Sequence, residues 1–180
     1  MSPKLVNKKI EYSGRRFKIE KREFQKVGGL AHTVDIVNFA IPRSVAILPV
    51  NEKEQIVLEK HYRYAPMEEI FEIPAGWLEP GESPTKAARR ELLEETGYLP
   101  DSLEKMGTIL PAPGYSTEEI FLFLAHVKET NRKKTMLEKG ELIRTQSFAK
   151  EQVLSMIKTD EIKDAMSICA VYRARLLALI

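Results

Sequence analysis

The run from Gly76 to Tyr98, GWLEPGESPTKAARRELLEETGY, constrains this chain more than any other stretch. Within it Glu91, Glu94 and Glu95 fall at i, i+3 and i+4, and at about 100° per residue these positions share one face of a helix. Like charges at that spacing weaken a helix by about 0.2–0.5 kcal/mol per pair, a penalty that a bound cation removes. Donors that are all oxygen, with room left for water, suit magnesium or manganese better than zinc. Both ends of the helix are marked in the sequence. Ser83 can accept from the orphan amides of the first turn, and Pro84 suits the first helical position because it has no amide to lose. Gly97 stops the helix, since glycine enters the left-handed region at little steric cost. Ala87 and Ala88 fall on the carboxylate face, which predicts open room there for a bulky ligand. Leu92 and Leu93 lie away from it and can anchor the helix to a core.

The rest of the chain sets the context for that helix. At 180 residues it is long enough for one substantial core, with 43% hydrophobic and 30% charged residues as in soluble globular proteins. A net charge of +2 with scattered lysines argues against a nucleic-acid partner. No run of eighteen apolar residues and no signal-like start is present, so no membrane partner and a cytoplasmic location are expected. Cys169 is the only cysteine, which excludes an internal disulfide and a cysteine-rich zinc site. Its place in the spacing Ile162, Met166, Cys169, Leu176, Ile180 predicts a buried small hydrophobe. His32, His61 and His126 are far apart in strand-like surroundings, and structural or surface roles are expected for all three.

Alternating or apolar segments over 5–12, 17–25 and 31–39, broken at Gly14 and Gly28-Gly29, predict a small antiparallel sheet. Segments 44–49 and 55–64 flank the polar turn Asn51-Glu52-Lys53-Glu54 and predict a hairpin. A short strand over 70–74 leads to the acidic helix. Strands over 103–110 and 120–127 follow it, separated by the loop Pro111-Ala112-Pro113-Gly114-Tyr115-Ser116. The charged stretch 128–140 reads as an exposed loop, followed by a strand over 142–148 and helices over 150–158 and 160–179. This order lacks the regular alternation of a doubly wound sheet, so an α/β (α+β) fold with a mixed sheet between helices is expected.

The segment from Gly76 onward resembles the Nudix box: glycine, five residues, glutamate, seven residues, Arg-Glu, an aliphatic, any residue, Glu-Glu, any residue, glycine and a hydrophobic. Gly76, Glu82, Arg90, Glu91, Leu92, Glu94, Glu95 and Gly97 match in register. Tyr98 departs from it, the closing position being usually aliphatic, although an aromatic ring can pack there. The resemblance implies a Nudix α-β-α sandwich over 42–180, preceded by an N-terminal antiparallel sheet over 1–41. It also implies a Mg2+ cofactor, with Mn2+ as the alternative. Glu91 and Glu95 would be the main ligands, assisted by Glu94 and the backbone carbonyl of Ala75. Gly76, Glu82, Arg90 and Gly97 would support the site, Arg90 by pairing its planar fork with neighbouring carboxylates.

A narrower resemblance points to the ADP-ribose pyrophosphatase branch. Pro113 stands sixteen residues beyond Gly97 in LPAPGYSTEE, and HYRYAP and FEIPAGWLEPGE match the same branch. Carried onto this chain, Pro113 and Glu118 would belong to a substrate loop, Glu118 accepting from ribose hydroxyls, and Arg63 would hold a phosphate or the terminal ribose. The general base would be a glutamate of LEKGELIR, Glu141 in the better alignment and Glu138 in the other. An aromatic among Tyr12, Phe17 and Phe24 would stack on adenine. The branch further implies a homodimer in which the N-terminal sheet crosses to the partner. ADP-ribose cleaved to AMP and ribose 5-phosphate is therefore the expected reaction. The alternatives are another nucleoside diphosphate sugar or dinucleotide, and a non-catalytic module that senses a nucleotide; such a module would be expected to have lost box glutamates.

Overall fold

The computed structural model describes residues 2–25, 28–29, 31–137 and 139–180. Two compact units divide the chain, and the division is not a single cut. One takes residues 1–43 together with 110–119, and the other takes 44–109 with 120–180.

In the first unit, β1 (Lys4–Ser13), β2 (Phe17–Gln25) and β3 (Ala31–Phe39) form an antiparallel sheet in that order. Segment 110–119 belongs with this sheet because its backbone pairs with β3. Val37 N donates to Tyr115 O at 2.7 Å and Thr117 N donates to Val37 O at 3.1 Å. Every residue of the edge strand β1 is exposed, including Leu5, Val6, Ile10 and Tyr12.

The second unit is built on a sheet ordered β10–β5–β4–β9–β8, with β6 added to β5 and β7 to β4. Its strands are β4 (Arg43–Val50), β5 (Gln55–Arg63), β6 (Glu68–Glu72), β7 (Ala75–Trp77), β8 (Pro100–Ile109), β9 (Glu119–Val127) and β10 (Ile143–Ala149). Residues 44–50 are buried without alternation, as expected of a central strand covered on both faces. The covering helices are α1 (Pro84–Thr96), against β7, β8 and β10, α2 (Lys150–Lys158), against β5 and β10, and α3 (Ala165–Leu176), against β8. Leu48, Ile56, Leu58, Leu122, Leu124, Phe148, Val153 and Val171 meet in the core, the strand residues supplying one layer and the last two helices the other. The architecture is the mixed-sheet α+β sandwich with a small antiparallel sheet before it.

The C-terminal region differs from its sequence expectation. Helix α3 begins after Asp164, whose side chain accepts from Ser167 N at 2.8 Å, rather than at residue 160. Ser167, Ala170, Val171 and Ala174 form its buried face, and Cys169 is exposed, as is Leu176 at 87%. The apolar spacing through Cys169 misplaced that face because small residues, which periodicity weighs lightly, let α3 approach the sheet. Among the described residues no helix is long and apolar enough to cross a membrane.

Candidate active site

Helix α1 carries the carboxylate cluster, and its ends are fixed by local chemistry. Ser83 Oγ accepts from Lys86 N at 3.4 Å, Pro84 opens the helix, and Gly97 closes it at φ +79° while its amide donates to Leu93 O. The charged stretch after β9 also ties that end. Lys133 N donates to Gly97 O at 2.7 Å, Met136 N to Glu94 O at 2.8 Å, and Arg132 Nε to Thr96 O at 3.1 Å. Carbonyls that would otherwise end the helix unpaired are thereby satisfied. Tyr98 is buried, with its hydroxyl donating to Glu129 and Arg132 over its ring. Leu92 is buried as expected, but so are Ala87 and Ala88, both fully. These alanines let α1 lie close to its neighbours and leave no ligand space at their own positions.

The carboxylates occupy distinct surroundings. Glu95 is 5% exposed and its Oε2 accepts from Ala75 N at 2.9 Å, which joins α1 to β7. Glu91 lies against Gly76, where an added Cβ would stand 2.1 Å from its carboxyl carbon. Only glycine permits that approach. Arg90 ties the cluster together: its Nη2 is 2.8 Å from Glu82 Oε2, and its Nη1 is 2.7 Å from Glu91 Oε1 and 3.2 Å from Glu94 Oε2. The same Nη2 donates to Trp77 O at 2.9 Å. With all these donors engaged inside the protein, Arg90 orients carboxylates.

Burial pushes the Glu91 carboxyl up to about 7, against the favourable bond and charge of Arg90, with the charges of Glu94 and Glu141 adding to the rise. Burial, then the charges of Glu59 and Glu91, raises Glu95 well above the usual carboxylate range. The bond from Arg90 instead lowers Glu82. Ionising Glu91 and Glu95 together is thus costly until a cation offsets the charge, the electrostatic setting that favours binding one. An all-oxygen donor set of Glu91, Glu94, Glu95 and the Ala75 backbone fits a hard divalent ion.

Other residues singled out in the sequence divide by position. Glu141 is close enough for its charge to raise Glu59, Glu91 and Glu95. Arg63 is engaged with Glu72, its Nε 2.8 Å from Oε1 and 3.1 Å from Oε2. Pro113 and Glu118 belong to the other compact unit, where Pro113 is exposed and Glu118 N donates to Ser116 Oγ at 3.1 Å. Tyr12 and Phe17 pack in that unit with ring centres 6.1 Å apart and planes tilted by 44°, and Phe24 lines a hollow there with Pro3, His32 and Val34. Glu138 lies outside the described residues. The sequence singles out neither Glu59 nor Glu72 and gives His61 a structural or surface role; all three are buried, and the charge of Glu59 acts on Glu95. The signal for them was a strand alternation, Glu59 and His61 at i and i+2, directly after the apolar run 56–58 of β5.

Fold and site define a class that the comparisons with known proteins make explicit. The family model described as NUDIX domain matches residues 40–168, and the chain belongs to the Nudix family. It is a Nudix pyrophosphohydrolase by class. It is 31% identical over 171 residues to the ADP-ribose pyrophosphatase of Bacillus subtilis (strain 168), covering 95% of this chain and 91% of that one. Identity to the methanol dehydrogenase activator of Bacillus methanolicus is 31% over 160 residues, covering 89% and 85%. In fold it is similar to a solved crystal structure of an ADP compounds hydrolase, with a TM-score of 0.86 at 20% identity over 98% of this chain and 94% of that one.

Proposed function

We propose that the protein hydrolyses the diphosphate of ADP-ribose to AMP and ribose 5-phosphate, using Mg2+ or Mn2+ held by the α1 carboxylates. The observation that carries this reading is the placement of the three α1 glutamates, with Glu91 seated on Gly76, Glu95 on the Ala75 amide, and Arg90 Nη1 shared by Glu91 and Glu94. The similarity to an ADP-ribose pyrophosphatase over nearly the whole chain supports the choice of substrate. A divalent ion at these carboxylates neutralises a diphosphate and acidifies water.

The chain's own residues then have separable tasks. Glu91 and Glu95 are the main ligands, Glu94 and the Ala75 carbonyl assist, and Arg90 with Glu82 keeps the carboxylates from turning away. Glu141 is the general base, taking the proton of the attacking water; its charge acts on Glu91 and Glu95 alike. Arg63 contributes positive charge for a phosphate while Glu72 holds its guanidinium in one orientation. Pro113 and Glu118 form the substrate loop on the N-terminal sheet, and an aromatic of that sheet stacks on adenine. The protein acts as a homodimer built on that sheet, whose edge strand β1 displays Leu5, Val6, Ile10 and Tyr12.

Chromatography of the products decides the reaction. AMP and ribose 5-phosphate in equal amounts are expected from ADP-ribose and magnesium. A panel of nucleoside diphosphate sugars and dinucleotides ranked by kcat/KM decides the substrate, because specificity is a ratio of transition-state affinities. ADP-ribose is expected to rank first; a higher kcat/KM for GDP-mannose or a dinucleotide would transfer the assignment to that compound.

A further inference from the structure

Strands β5 and β6 place Glu59 directly opposite Glu72, with His61 two residues on and on the same face. Like charges directly opposite in an antiparallel pair destabilise it. Here both carboxylates are also buried, at 1% exposure each, beside His61 at 5%. One oxygen of each carboxylate and one imidazole nitrogen lie within 4.8 Å of one another. Among the described residues, Glu59 Oε1 has no hydrogen-bond partner. Glu72 Oε1 is 2.8 Å from His61 Nδ1 and 2.8 Å from Arg63 Nε, ion-pair distances without hydrogen-bond alignment. Burying an unpaired carboxylate oxygen costs several kcal/mol, so Glu59 Oε1 calls for a partner, and the two buried atoms beside it, His61 Nδ1 and Glu72 Oε1, lack aligned hydrogen bonds.

We propose that Glu59, His61 and Glu72 form a second divalent-cation site, separate from the α1 carboxylates and selective for a borderline first-row metal such as zinc. An imidazole nitrogen beside two carboxylates matches zinc better than magnesium, whereas the all-oxygen set on α1 matches magnesium. Three protein donors with a fourth position open is a common zinc arrangement. At roughly 2.1 Å from each donor, a tetrahedral ion sets the donor atoms about 3.4 Å apart, which lies between the 2.8 Å contact of His61 with Glu72 and the 4.8 Å bound on the whole group.

This inference does not rest on the ADP-ribose reading, and its test does not measure turnover. Purified protein dialysed against zinc(II) with excess magnesium, to fill the α1 carboxylates, is expected to retain one zinc per chain by mass spectrometry of the metal. His61→Gln is expected to lose that zinc, and Glu59→Gln, close to isosteric, to bind it at least about tenfold more weakly. Should His61→Gln fail to fold, Glu59→Gln carries the comparison alone. An anomalous diffraction peak at the zinc edge among Glu59, His61 and Glu72 is the expected crystallographic result. Zinc retained equally by the folded variants, a peak only at Glu91 and Glu95, or no zinc retained at all would overturn the proposal.

Discussion

Gly76 is the residue on which the geometry of the acidic cluster turns. A methyl group there would occupy the place of the Glu91 carboxyl, so Gly76→Ala must displace that side chain while β7 retains its backbone pairing with β4. The expected outcome is a loss of magnesium affinity of about 10- to 100-fold, by titration calorimetry, with Tm changed by only a few degrees. Unaltered affinity would remove Glu91 from the metal site. Glu91 also gives the metal-free protein a pH signature. Burial pushes its carboxyl up to about 7 in the folded chain, from an ordinary glutamate value of 4.5 when unfolded. Between those values the folded state binds the extra proton, so the stability this group contributes is fully present below the lower value and is lost as pH rises through the upper one. In EDTA, Tm should fall more steeply from about pH 5 to about pH 8 in the wild type than in Glu91→Gln. Parallel profiles would contradict the assignment.

At the scale of elements, α1 is where local signals and tertiary structure agree. Removing its cap by Ser83→Ala should cost about 0.5–1 kcal/mol in urea unfolding, the low end of cap energies because the Oγ–N contact is long at 3.4 Å. A change of zero would mean that water serves the first turn equally well. The bounds of α1 were legible because Ser83, Pro84 and Gly97 act within a turn of where they stand. The hairpin of β4 and β5 was legible for the same reason, a polar turn between two apolar runs. What could not be read from the sequence depends on distant partners. Residues 110–119 attach to β3 through backbone bonds that leave no trace in side-chain pattern. The stretch 128–140, mostly exposed as its charge suggests, ties the end of α1 through its backbone. Glu59 looks like a break in an apolar strand until Glu72 and His61 are brought beside it. Ala87, Ala88 and Cys169 show the converse, since the burial of small residues follows from how closely two elements approach.

For the molecule as a whole, the two compact units divide the proposed work. The sandwich holds the carboxylates, and the N-terminal sheet with 110–119 carries the segment proposed to contact substrate. An edge strand exposed along its full length, with Leu5, Val6, Ile10 and Tyr12 uncovered, invites pairing with a further chain. Light scattering behind size exclusion should therefore give a mass of about twice the 20.6 kDa of the chain, and Ile10→Lys should shift it toward one chain. A wild-type mass of one chain at micromolar concentration would contradict the dimer.

The central claim is that carboxylates gathered on α1 serve a divalent ion in cleaving a nucleotide diphosphate. The most direct measurement is kcat/KM for ADP-ribose at saturating magnesium in wild type and Glu95→Gln, with circular dichroism to establish that both are folded. Loss of a main ligand should lower kcat/KM by at least about 10²-fold, the equivalent of roughly 3 kcal/mol of transition-state stabilisation. Equal values in the two proteins, or no turnover by the wild type, would contradict it.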